Sequence, residues 1–245
     1  MKNLYKANLY RMIKRPDYLL GCVIALVVTC AITSGAYAFP FLAAKTADIR
    51  MLFTGAAMVL FFSIFPPLFI NPEYADGCIR NRIIAGFSQR QVYLSHLLSM
   101  VSAMTFMFIC YLIGGLIGGA AFEAKTLEAL FVLFIAVCAY AVLAATVSFR
   151  FRKIIASMLT TMLIFNVCFN GLLFGNAILS ILNGAALRVG AVIYNINALG
   201  QWFCLTGYAD DVANPGSGIQ ILLSLMIMVI SFVFGMAGLD KRDLN

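Results

Sequence analysis

Charge is scarce in this chain and missing from the interior of its longest apolar runs. Asp, Glu, Lys and Arg make up 11% of its 245 residues, against 63% hydrophobic ones. Too few polar side chains remain to cover a water-soluble globule. Histidine occurs once, at His96, so no His pair is available to bind a metal. The seven cysteines form no C-x-x-C, and most lie inside apolar runs, where they read as small apolar fillers. G-x-x-x-x-G-K-S/T, H-E-x-x-H and G-x-S-x-G are all absent, so no catalytic residue, metal or cofactor is expected on this chain. The basic residues form no patch with interleaved aromatics, which argues against a nucleic-acid partner. No carboxylate lies deep in an apolar run, as an ion-driven carrier usually requires; energy for transport would have to come from outside the chain.

What is present is a series of apolar runs of membrane-spanning length. Six can cross, at about 18–39, 49–70, 92–121, 127–149, 154–175 and 219–238. Runs near 20 residues predict helices and not barrel strands. The fold class is therefore all-α: a single polytopic membrane domain over 1–245. With the N-terminus inside, 13 Lys and Arg fall in cytoplasmic segments and 4 in outer ones. That bias places both termini in the cytoplasm.

Residues 1–16 predict a separate element. On a helical wheel Tyr5, Leu9, Met12 and Ile13 share one side, and Asn3, Arg11, Lys14 and Arg15 the other. This pattern suits a short helix lying on anionic lipid, broken by Pro16 and Asp17; the alternative is a basic flank that only sets topology. The basic stretch, apolar core and Ala36-Tyr37-Ala38 also imitate a secretory signal, but the run is read here as a span.

The loop between the second and third spans is the most informative segment. Asn71 can cap a helix with Pro72 first and Glu73 next, favourable at the positive helix end. Ile79, Ile83 and Ile84 then form an apolar stripe beside Arg80 and Arg82, and Gly86 ends the helix. Ser88-Gln89-Arg90-Gln91 is a capping box for the third span. A short, doubly bracketed helix over 72–87 exceeds what a connection needs and suggests a docking surface.

Here the chain resembles permease subunits of type-2 ABC exporters, the small six-span kind that includes peptide-antibiotic immunity and bacitracin-type permeases. These typically carry a Glu, Gly-Thr-Ile-Arg-Asn, a Gly-x-Ser-Arg-like turn and Tyr-x-Ser-Lys. This sequence has Glu73, Gly77-Cys78-Ile79-Arg80-Asn81, Gly86-Phe87-Ser88-Gln89-Arg90 and Tyr93-Leu94-Ser95-His96. It departs at Cys78, at the inserted Gln89 and at His96. The resemblance implies an N-terminal elbow on the inner leaflet and a coupling helix at 72–87 seated in a separate ATPase, which would hold the ATP and magnesium. Glu73, Ile79, Arg80, Arg82, Ile83 and Ile84 would make that contact. The turn Arg150-Phe151-Arg152-Lys153 would make a smaller one through Arg150, Arg152 and Lys153. Spans two and five of two permease copies, identical or homologous, would line the route.

Within the spans, Gly114, Gly115, Gly118 and Gly119 form overlapping GxxxG repeats that permit close approach, within the chain or between copies. Asn166 and Asn170 lie one turn apart, either as structural glue or as a polar strip on the route. Met58, Phe62, Phe65 and Phe69 share roughly one face, toward either lipid or the route, before Pro66-Pro67, which would kink or end the helix. Segment 176–218 is long for a bare loop and suits short interfacial or re-entrant helices, with Tyr194, Trp202 and Tyr208 as belt aromatics. Asp210-Asp211 reads as a solvated turn. The reading that results is a bacterial plasma-membrane exporter subunit for an amphipathic or hydrophobic molecule, a toxic peptide first among them. The alternative is a non-transporting membrane anchor or regulator that docks a partner through the same helix.

Overall fold

The computed structural model describes residues 2–37, 42–151, 153–195, 216–237 and 239. They are helical with no strand among them. The helices are α1 (Lys2–Ile13), α2 (Pro16–Thr33), α3 (Ala47–Ala75), α4 (Cys78–Ile84), α5 (Gln89–Ile117), α6 (Ala124–Arg150), α7 (Ile154–Leu179), α8 (Gly184–Asn195) and α9 (Ser217–Met236). Six of them, α2, α3, α5, α6, α7 and α9, are long and apolar enough to cross a membrane. The chain is a multi-pass membrane protein.

Helix α6 is the hub. It packs against α3, α5, α7 and α9, and its small residues Ala129, Ala136, Ala141, Ala144 and Ala145 are fully or almost fully buried, letting neighbours approach closely. Hydroxyls join the helices where lipid offers no hydrogen bond. Tyr140 Oη donates to Thr161 O (2.6 Å), Tyr111 Oη to Met51 O (2.9 Å) and Tyr18 Oη to Ala103 O (2.8 Å). Each such bond is worth roughly 0.6 kcal/mol.

The glycines of the third span serve packing inside the chain. A Cβ on Gly114 would sit 2.4 Å from the Leu26 backbone oxygen, and one on Gly118 would sit 2.9 Å from Cys30 O. Backbone against backbone at α2–α5 leaves no room for a side chain. Gly115 instead faces the flexible Met51 side chain. Gly119 has another job: its φ of +88° ends α5 in a left-handed turn.

Three prolines do not stop α3. Pro66, Pro67 and Pro72 all lie inside it, so of the two expected outcomes, a kink or an end, the helix does not end at the double proline. A proline leaves the carbonyl four residues earlier without its donor. For Pro67 that is Ser63 O, reached by the Thr161 hydroxyl of α7 at 2.5 Å. For Pro72 it is Leu68 O, which accepts from Arg15 Nη1 at 3.0 Å. With these two carbonyls re-satisfied, the helix continues to Ala75. Asn71 is therefore not a cap. It is buried inside α3, and its amide donates to Phe151 O (2.5 Å) and Ser157 Oγ (3.0 Å), pinning the α6–α7 turn.

At the other end of the bundle from α4, Asp48 is buried and accepts from Ala121 N, Glu123 N and Thr126 Oγ1. It seats the α5–α6 connection. The predicted capping box is present: Ser88 Oγ accepts from Gln91 N, and the Gln91 side chain accepts from Ser88 N. Pro16 takes the first position of α2.

Candidate functional site: the α4 element and the Glu73 node

The predicted helix over 72–87 is only Cys78–Ile84, because α3 takes the residues up to Ala75. Gly77 and Gly86 bracket it, both left-handed at φ 68° and 93°, with open space where a side chain would stand. Only glycine adopts such turns at little cost. A two-turn helix thus hangs between two glycine corners.

Helical geometry then splits the expected stripe. At about 100° per residue, Ile79, Arg82 and Ile83 fall on one side, and Arg80 and Ile84 on the other. Ile79 is buried, Ile83 is half-buried against the core, and Arg82 also turns inward. Arg80 is exposed and Ile84 is 75% exposed. The outward face is therefore Arg80, Asn81 and Ile84, without Arg82 or Ile79.

Arg82 points at Glu73. The carboxylate is in the last turn of α3 and not at a helix start, and it is buried. Arg11 of α1 pairs with its Oε1; Arg82 of α4 is 2.8 Å from its Oε2, and His96 Nε2 of α5 is 3.2 Å from the same oxygen. Arg82 Nη1 is also 3.0 Å from His96 Nε2. The Phe69 ring lies under the Arg11 guanidinium and edge-on to His96, which also meets Phe149 edge-on. One carboxylate thus joins α1, α3, α4 and α5. Burial, then the facing Arg82 charge, hold the Arg11 pKa below its ordinary value; burial does the same for Arg82.

Sequence reasoning missed Arg11 and His96 as parts of this node. The available signal was a lone histidine early in an apolar span and a glutamate in the preceding segment. The elbow's inward side is the expected one rotated toward Leu4 and Asn8: Met12 is buried with them, Tyr5 and Leu9 are half-buried, Asn8 Nδ2 donates to Ser95 Oγ (3.0 Å) and Tyr5 Oη is 2.8 Å from Ser102 Oγ. These two polar contacts turn the helix toward the serine side of α5, which leaves Ile13 38% exposed.

The other predicted site residues are dispersed. Arg150 is engaged within the chain: its Nη2 donates to Phe234 O and Ala237 O at the end of α9, and its guanidinium lies over the Phe234 ring. It closes the end of α9. Lys153 is exposed; Arg152 lies outside the described residues. Met58, Phe62, Phe65 and Phe69 are buried in the chain's own core, so they face neither lipid nor a route. The aromatic packing of Phe61, Phe62, Phe65 and Phe69 with Tyr18 fills the space beside α2 and α5 instead.

Asn166 is exposed and Asn170 half-buried among the described residues. Asn170 Nδ2 donates to Asn166 Oδ1 (2.8 Å) and to Asn166 O (2.9 Å), within one helix. Their helix is the least covered span, with 11% of its crossing window buried. Segment 176–218 divides into the end of α7, then α8; Trp202, Tyr208 and Asp210-Asp211 lie outside the described residues. An apolar groove of about 510 Å³ separates α7 from α8, lined by Gly171, Phe174, Ile178, Gly190 and Tyr194 among others.

No protein-family model matches the chain, and no curated protein matches it.

Proposed function

We propose that this chain is the membrane-spanning subunit of an ATP-driven exporter in a bacterial plasma membrane. Two copies, or this chain and a homologue, would work with separate ATPase subunits to move an amphipathic or hydrophobic molecule, such as a toxic peptide, out of the cell. The observation that carries this reading is α4. It is a short helix between two left-handed glycines, with exposed Ile84 and Arg80 on its outward face. An exposed isoleucine beside a cation, on a short helix set off by glycine turns at both ends, suits a mechanical contact with a soluble partner. The charge bias turns that face, and both termini, to the cytoplasm. The open α7 face, where Asn166 and Asn170 have only each other among the described residues, supports a second copy at that face.

The test is copurification of the tagged chain from its native membrane, identification of any ATPase subunit that comes with it, and ATP hydrolysis by that complex with and without substrate. Arg80→Glu with Ile84→Asp should abolish binding and stimulation while the chain still inserts. Wild-type recovery and stimulation by that variant overturns the coupling assignment. Binding without any stimulation by the unaltered chain favours an anchoring subunit.

A further inference from the structure

The Glu73 node carries two guanidiniums against one carboxylate, so with a neutral His96 it holds one positive charge in excess. Its members differ in access. Glu73 and His96 are buried, and the Arg82 side chain is 15% exposed, whereas that of Arg11 is 42% exposed. Arg11 sits on a helix with no acidic residue, next to an exposed stripe of Lys2, Lys6, Tyr10 and Lys14 at four-residue spacing. Lys14 Nζ lies 4.5 Å from the centre of the Tyr10 ring, holding its charge beside the same surface. An anionic group placed there would neutralise the excess charge from outside. The two arginines repel each other across a shared carboxylate, so whatever neutralises Arg11 strengthens the hold of Glu73 on Arg82. Arg82 is the polar tie between α4 and the bundle; Ile79 is its one fully buried residue.

We infer that Arg11 and Arg82 are the two arms of a latch through Glu73, by which an anionic phospholipid headgroup bound at α1 tightens the seat of α4. The ligand chemistry is a phosphate monoanion or diester at the membrane surface, and the source is lipid. The inference rests on the membrane reading alone and needs no ATPase.

The test is hydrogen exchange on the full chain in nanodiscs of phosphatidylcholine, with and without phosphatidylglycerol. Phosphatidylglycerol should slow exchange in residues 78–84 roughly two- to fivefold, the worth of a part-exposed ion pair. Arg11→Met should remove that slowing and Arg11→Lys should keep it, which separates lost charge from a misplaced α1. Arg82→Met should remove the response of 78–84 but leave that of residues 2–13. The inference is overturned if 78–84 exchanges equally in both lipids, if Arg11→Met still responds, or if soluble glycerol phosphate over phosphatidylcholine alone gives the same slowing.

Discussion

Arg15 Nη1 donates to the Leu68 carbonyl, the oxygen that Pro72 leaves without a backbone donor. The same guanidinium is held by Asp17 through Nε–Oδ1 at 2.9 Å and Nη2–Oδ2 at 2.7 Å. A residue between α1 and α2 thus repairs a defect in α3, 53 positions away. Because the repair is needed only where proline stands, the two positions should be coupled. Arg15→Met should lower stability in detergent by about 1–3 kcal/mol, the cost of an unpaired buried carbonyl. In a Pro72→Ala background, where the substituted residue supplies its own backbone N–H, the loss should shrink by about 1 kcal/mol. Additive losses in this double-mutant cycle would show that Leu68 O is not what Arg15 serves.

The glycine positions of α5 predict a rank order. Gly114→Ala puts a methyl into the Leu26 backbone, which can yield only if α2 moves. Gly115→Ala meets the thioether end of Met51, which can turn aside. Gly114→Ala should therefore cost about 1–3 kcal/mol and Gly115→Ala distinctly less, read as thermal midpoints of the purified chain. An inverted order would count against the close α2–α5 approach.

Much of the fold is legible in the sequence because lipid imposes it. Length and hydropathy alone place the six spans in order, and Pro16, Ser88-Gln91 and Gly86 mark real boundaries. The course of α3 is not legible in the same way. Whether a proline ends a helix depends on who else can serve the freed carbonyl, and here the servers are Arg15 and Thr161, remote in sequence. The inward turn of Arg82 has the same origin, since charge normally marks an exposed face and only the position of Glu73 reverses it. The Met58–Phe69 stripe could not be assigned because neighbouring residues are apolar all round, so no polar face says which side is core. Asn166 and Asn170 were visible as a pair; that Asn166 is exposed follows from how α3 and α6 cover the other side of α7.

The open α7 face predicts contact between copies. With Val167 63% exposed beside Asn166, Val167→Cys on a chain lacking its other cysteines should form an interchain disulfide or a short cross-link in native membranes. Asn166→Leu with Asn170→Leu should weaken self-association without changing the thermal midpoint, because neither amide bonds to another helix of this chain among the described residues. If the Leu pair unfolds the chain, or if Val167→Cys stays monomeric under oxidant while Leu20→Cys in α2 cross-links, the pairing face lies elsewhere.

Cys78 offers the test of orientation. It is half-buried at the first position of α4. In sealed cells a membrane-impermeant maleimide should leave it unlabelled, and permeabilisation should expose it. Labelling in sealed cells would reverse the topology drawn from 13 inner against 4 outer cations and would remove α4 from any cytoplasmic partner.

The two sides of α4 should separate folding from docking. Ile79 is 3% exposed and Ile84 is 75% exposed, although both belong to a helix of seven residues. Ile79→Asp puts a carboxylate at a buried position of the core, so it should cost several kcal/mol and deplete the chain from the membrane. Ile84→Asp exchanges one exposed side chain for another and should leave the midpoint within about 0.5 kcal/mol of the parent. If α4 docks a partner, only the second variant yields a folded chain that fails to bind it, and the loss should exceed tenfold in affinity, a central apolar anchor being worth about 2 kcal/mol. Arg80→Gln, on the same outward side, should weaken binding less and mainly through its dependence on salt, as a rim charge does. A folded Ile84→Asp chain that binds the ATPase at parental affinity would move the contact off this face. It would leave Lys153 as the remaining described and exposed member of the predicted contact at the α6–α7 turn.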